Sequence, residues 1–132
     1  MIDALSYLHN TKSIAHRDLK LDNILIDDDL NLILADFGYA TSANRPLNSY
    51  RGTKTYMAPE VKLLVNDPDI IYDGKAIDVF SAGVILFVIV VGIFPFIEAK
   101  PEEPNYKLIY DNNYEEYWAN FDPDNVLSTE FK

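Results

Sequence analysis

A chain of 132 residues that is 48% hydrophobic and 13% aromatic holds enough apolar material for one packed domain, which excludes a disordered tail. Its formal net charge of −10, with only 11 Lys and Arg, excludes general binding to nucleic acid or to an anionic membrane, because attraction to phosphate needs clustered cations; basic or cation-bearing partners are favoured instead. The absence of cysteine excludes a disulfide framework and a thiolate metal site, and the opening MIDALSYLHN lacks a basic region followed by an apolar stretch, so an intracellular location is expected.

Ile2 to Leu8 places apolar residues at helical spacing and runs into the polar HNTK, which predicts a short helix closed by a turn. His16 to Asn23, HRDLKLDN, is a dense polar stretch set against the apolar run NILI and is read as a loop. Asn23 to Ala35, NILIDDDLNLILA, consists of short apolar runs on either side of Asp27, Asp28 and Asp29, the pattern of a β-hairpin with an acidic turn. Asp36 to Glu60 is rich in Ser, Thr, Asn and Gly and has no sustained period, which predicts a long ordered loop; loops of that length are uncommon unless they are functional.

Val61 to Leu64 starts a short helix, NDPDIIYDGK is a loop, and Ala76 to Val91 is an apolar helix. Val79 to Ile97 contains no charged residue and is nearly long enough to span a bilayer. Ser81, Gly83, Gly92 and Pro95 interrupt that run, and Lys75 and Asp78 put charge on one side only, which favours the buried central helix of a globular domain. Beyond Pro95 the chain is acidic and aromatic, with Tyr106, Ile109 and Tyr110 at helical spacing.

The polar residues suggest a chemistry. Asp18, Lys20 and Asn23 share one loop that ends in a strand, and Asp36, in Asp36-Phe37-Gly38, follows the next strand, so both polar sets leave the hairpin at the same end. Asp and Asn oxygens suit a hard cation such as Mg²⁺, which takes few protein ligands and completes its shell with phosphate oxygens. A Lys can neutralise a transferring phosphoryl group, and a further Asp can accept a hydroxyl proton. These are the requirements of phosphoryl transfer.

With these motifs in this order, the chain resembles the C-terminal lobe of a eukaryotic protein kinase. HRDLKLDN resembles the family's catalytic loop, DFG its metal-binding motif, Ala58-Pro59-Glu60 the close of its activation segment, DVFSAGVILF its central helix and PNYKLI the helix that follows. The resemblance implies a mainly α fold of the family's α+β type with one small β-hairpin, and a partial protein kinase domain over 1–132. It implies that Asp18 orients the substrate hydroxyl and accepts its proton, that Lys20 touches the γ-phosphate, and that Asn23 and Asp36 hold Mg²⁺. Leu25 falls where the family places an apolar floor under adenine, so ATP and Mg²⁺ are the expected cofactors. Asp78 and His16 are expected as structural anchors of the loop. The Lys of Asp-x-Lys-x-x-Asn, with Thr53 in GTKTYMAPE, resembles serine/threonine kinases and implies that Thr53 positions the substrate. Arg17 is expected to bind a phosphate on the activation segment, with Ser49 as the phosphorylated residue. Asp22 stands where family members that prefer basic peptides carry an acid, so the expected partner is a protein substrate basic around its Ser or Thr; a solvated face explains Asp22 equally well.

The chain departs from the family at Phe80, where Trp is usual, and at Lys54, where Pro is usual. Its five glycines form no Gly-x-Gly and no strand-borne Val-Ala-x-Lys precedes a helix, so the phosphate-covering loop and the whole N-terminal lobe are expected to be missing. The family's Arg partner of Glu60 is expected beyond Lys132, which would leave Glu60 unpaired. Two functions follow: a protein kinase present as a partial domain, or a catalytically silent kinase-like binding module.

Overall fold

The computed structural model describes all 132 residues. Helix α1 (Ile2–Ser6) widens into a π-helical turn at Tyr7–Thr11 and leads to β1 (Ile14–Ala15). A 3₁₀ turn at Leu21–Asn23 enters β2 (Ile24–Ile26), which pairs with β3 (Leu32–Leu34) in the expected antiparallel hairpin. Asp27 closes its turn by accepting from the N–H of Asp29 at 3.0 Å and of Asn31 at 2.8 Å. The Asn31 amide adds a third bond, and these hydrogen bonds hold the Asp27 carboxyl below the usual carboxylate range.

The segment expected to be wholly irregular contains strand β4 (Thr41–Ser42), which pairs antiparallel with β1, and a bridge between Leu47 and Tyr72. The fold thus has a second small sheet. Two-residue strands are too short to carry an alternating pattern, and they exist here only because distant partners supply their hydrogen bonds. Helix α2 (Pro59–Leu63) begins at Pro59, earlier than the spacing predicts, because a proline at the first helical position has no N–H to leave unsatisfied. Helix α3 (Gly74–Val91) also starts early, since Asp73 accepts from the Lys75 N–H at 2.8 Å as its N-cap. It stops at Gly92, whose φ of 87° lets its N–H bond back to Val88. Helices α4 (Pro104–Tyr110) and α5 (Tyr114–Phe121) follow.

Helix α3 organises the core. Ala82, Val84 and Ile85 pack with Leu5, Leu19 and Phe96, while Ile77 joins a second cluster with Val61, Met57 and Tyr72. Phe80 touches both clusters and stacks on Phe96 with ring centroids 6.0 Å apart, so the smaller ring fills a packing role. By length and composition α3 could cross a membrane, but its core-facing side is occupied by these contacts and by the charged Asp78, which is fully buried. The helix expected to be a buried central one is buried on its core-facing side, while Val79, at 59% exposure, and Ile89, at 63%, lie on an open outer face.

Candidate active site

The polar loop is built on α3. Asp78 has no exposed surface and accepts from the backbone N–H of His16 and of Arg17, both at 2.7 Å. His9, in the π-helical turn, meets the same carboxylate at 2.9 Å. His16 is also fully buried; its Nε2 donates to the Ala35 carbonyl at 2.9 Å and its Nδ1 accepts from the Asp18 N–H at 3.4 Å, a pattern that the neutral imidazole satisfies. One histidine thus ties the loop containing Asp18 to the end of β3.

Asp18, Lys20 and Thr53 meet in space. The Thr53 hydroxyl donates to Asp18 Oδ1 at 2.7 Å, Lys20 Nζ lies 3.2 Å from Asp18 Oδ2, and Lys20 Nζ reaches the Thr53 oxygen at 3.3 Å. Asp18 is buried apart from this face, while Lys20 and Thr53 are half-buried. The hydrogen bond to Asp18 holds the Lys20 ammonium above its usual pKa, against the opposing effect of burial. Asp18, Lys20 and Asp36 line one cavity of about 310 Å³ with Gly38 and Tyr39.

The hairpin register brings Asn23 and Asp36 to the same end, since the Ala35 N–H donates to the Asn23 carbonyl at 2.8 Å. The Asn23 amide nitrogen is committed to the Asp18 carbonyl at 2.9 Å, which leaves its side-chain oxygen uncommitted. Asp36 uses one carboxylate oxygen for the Gly38 N–H at 3.1 Å and keeps the other free. An uncommitted Asn oxygen and a free Asp oxygen at one end of the hairpin are hard donors of the kind that suits a magnesium ion sharing its shell with phosphate. Arg17 and Asp36 both have positive φ, 68° and 58°, a strained conformation for residues with side chains and one that clusters at functional sites.

Arg17 spans the segment that follows. Its Nε donates to the Tyr39 carbonyl at 2.6 Å and its Nη1 to the Ser49 hydroxyl at 2.7 Å. Leu25 lies apart from this cluster, on the outer face of β2 opposite Ile33, and is 52% exposed. Asp22 is exposed. Glu60 is half-buried and belongs to none of the ion pairs. The spacing of the sequence missed His9: nothing local marks it, because its partner lies 69 residues away.

The protein kinase domain model matches residues 1–132. The chain is 44% identical over 114 residues to CBL-interacting protein kinase 24 of Oryza sativa subsp. japonica, covering 84% of this chain and 23% of that protein. It is 38% identical over 133 residues to serine/threonine-protein kinase chk1 of Schizosaccharomyces pombe, covering 97% of this chain and 25% of that protein. It is also 42% identical over 109 residues to serine/threonine-protein kinase SAPK2 of Oryza sativa subsp. indica, covering 79% and 30%. The chain belongs to the eukaryotic serine/threonine protein kinase family. It spans about a quarter of the length of the curated relatives it matches.

Proposed function

We propose that residues 1–132 form the C-terminal lobe of a serine/threonine protein kinase that transfers the γ-phosphate of ATP to a protein hydroxyl. The observation that carries this reading is the convergence of Thr53, Asp18 and Lys20 within hydrogen-bonding distance, with Asp18 and Lys20 lining one cavity together with Asp36.

Asp18 Oδ1 already accepts a hydroxyl proton donor, the Thr53 side chain, and a substrate hydroxyl brought to the same carboxylate would be oriented by it and give up its proton to it. Thr53 holds the carboxylate in place and positions the substrate chain. Lys20, kept cationic by Asp18, faces charge that develops on the transferred group. Asn23 and Asp36 are the residues that would hold magnesium, and Leu25 is the apolar surface for adenine. Magnesium-bound ATP supplies the phosphoryl group and the divalent charge that the family uses. The substrate is a protein, and Asp22 with the chain's acidic balance favours basic residues around the target.

The test uses the intact kinase that contains this chain, with labelled ATP and a serine peptide. Asp18→Asn is expected to lower kcat by about 10²- to 10⁴-fold with nucleotide affinity nearly unchanged, since the residue acts on the hydroxyl. Asp36→Asn is expected to weaken binding of magnesium-bound ATP as well. Small and equal effects from both would overturn the assignment, and a wild type that binds ATP and peptide without transfer would be the silent binding module.

A further inference from the structure

A second polar cavity, of about 510 Å³, opens where the segment from Asp36 to Glu60 meets the start of α3. Asn44, Arg45, Pro46, Tyr72, Asp73 and Lys75 are among its lining, and it shares no lining residue with the cavity of Asp18, Lys20 and Asp36. Arg45 is exposed and Lys75 half-buried, and neither belongs to an ion pair. Lys20, Lys62, Lys100, Lys107 and Lys132, by contrast, each meet a carboxylate. In a chain with 21 acids against 11 cations, a guanidinium and an ammonium that converge from different elements and meet none of those acids are set apart for something else. Asp73 is the one acid in the lining; one of its oxygens is committed to the Lys75 N–H at 2.8 Å as the cap of α3, and two cations against one acid leave the cavity positive.

Both cations stand on braced backbone, so a ligand would have only their side chains to order. Pro46 restricts the backbone of Arg45, and Leu47, next along, exchanges backbone hydrogen bonds with Tyr72 at 2.9 and 2.8 Å. Lys75 follows Gly74, where an added Cβ would come within 2.6 Å of the Ala15 Cβ, so this turn of α3 is packed tightly on β1.

We propose that this cavity binds the phosphate of a phosphorylated serine or threonine side chain of a protein. The inference rests on the kinase reading above in one respect, that the proposed reaction produces this group. A phosphomonoester carries close to two negative charges and three acceptor oxygens at neutral pH, so it can meet the guanidinium and the ammonium at once, whereas a carboxylate brings one charge and two oxygens. The site is separate from the catalytic one yet linked to it. Tyr72, in its lining, donates its phenol to the Ser49 carbonyl at 2.7 Å, and the Ser49 hydroxyl accepts from Arg17, the residue before Asp18.

The experiment measures binding of a labelled phosphoserine peptide to the intact kinase by fluorescence anisotropy without nucleotide, beside the same peptide with Ser or Glu at that position and with inorganic phosphate as competitor. Wild type is expected to bind the phosphoserine peptide about tenfold more tightly than either other peptide, the worth of one hydrogen bond to a charged group. Arg45→Gln and Lys75→Gln are each expected to weaken that binding by about as much and the double variant to abolish the preference, while all three transfer phosphate to an unphosphorylated serine peptide as wild type does. Equal affinity for the phosphoserine and serine peptides in wild type, or a preference that survives in the double variant, would overturn the site and leave the kinase reading intact. Equal affinity for the Glu peptide, or displacement by inorganic phosphate at the concentration of the peptide, would overturn its assignment to a phosphorylated protein. Loss of transfer in the variants would overturn its separation from the catalytic site. A wild type that shows the preference without transferring phosphate would overturn the kinase reading and leave this site standing.

Discussion

Asp78 has no solvent exposure, and its two oxygens receive the backbone N–H groups of His16 and Arg17 and the His9 ring. The two backbone donors belong to a loop that lies outside any regular ladder, with Arg17 at a φ of 68°. The carboxylate stabilises that strained turn and thereby sets where Asp18, one residue later, points. An isosteric amide at 78 presents one acceptor oxygen and turns an NH₂ toward donors, leaving at least one buried N–H unpaired. Asp78→Asn is therefore expected to destabilise the fold by roughly 2–4 kcal/mol, read as a lowered denaturant midpoint, and, in the intact kinase, to lower phosphoryl transfer as Asp18 loses its placement. An unchanged midpoint would show that the loop is held by other contacts. The motifs of this site, and through them the family, are legible in the sequence because HRD, DFG and APE are contiguous runs; the His9 contact is not, since it joins residues 69 apart.

At the scale of elements, the segment from Asp36 to Glu60 is organised by Arg17, which links Tyr39 near its start to Ser49 further along. Tyr72 adds a second restraint by donating its phenol to the Ser49 carbonyl at 2.7 Å. A phosphate on Ser49 would replace a neutral hydroxyl with nearly two negative charges at a guanidinium already 2.7 Å away, giving short charge-assisted bonds. Ser49→Ala in the intact kinase is expected to lower activity by roughly tenfold, the worth of one hydrogen bond to a charged group, and to do much less in an Arg17→Ala background. An equal loss in both backgrounds would rule out the pairing. The organisation of this segment shows where reading by period runs out: β4 is two residues long and gains its identity only from β1. Helix α5 goes unread in the sequence, where only Tyr106, Ile109 and Tyr110 are marked at helical spacing; it is held by Tyr117, Trp118 and Phe121, which pack on Phe87 of α3.

Across the whole molecule, burial is uneven in a way that matches the proposed function. The core lies around the inner face of α3, whereas the hairpin presents Leu25, Ile26 and Ile33 to solvent at 52%, 65% and 46% exposure. An adenine ring resting on Leu25 would be covered by protein on one side only, and water would compete for every phosphate oxygen at the open cavity beside Asp36. Phosphoryl transfer draws its rate from positioning and from electrostatics in a site that excludes water, so catalytic residues in the right places are not sufficient. The purified 132-residue chain is expected to show no measurable transfer from labelled ATP to a serine peptide, while a longer chain that covers the outer face of the hairpin does so. Both proteins share Asp18, Lys20, Asn23 and Asp36, which makes the comparison a direct measure of what enclosure adds. Robust turnover by the 132-residue chain would mean that the open cavity already holds the nucleotide and excludes enough water, and that Leu25 needs no partner across the ring.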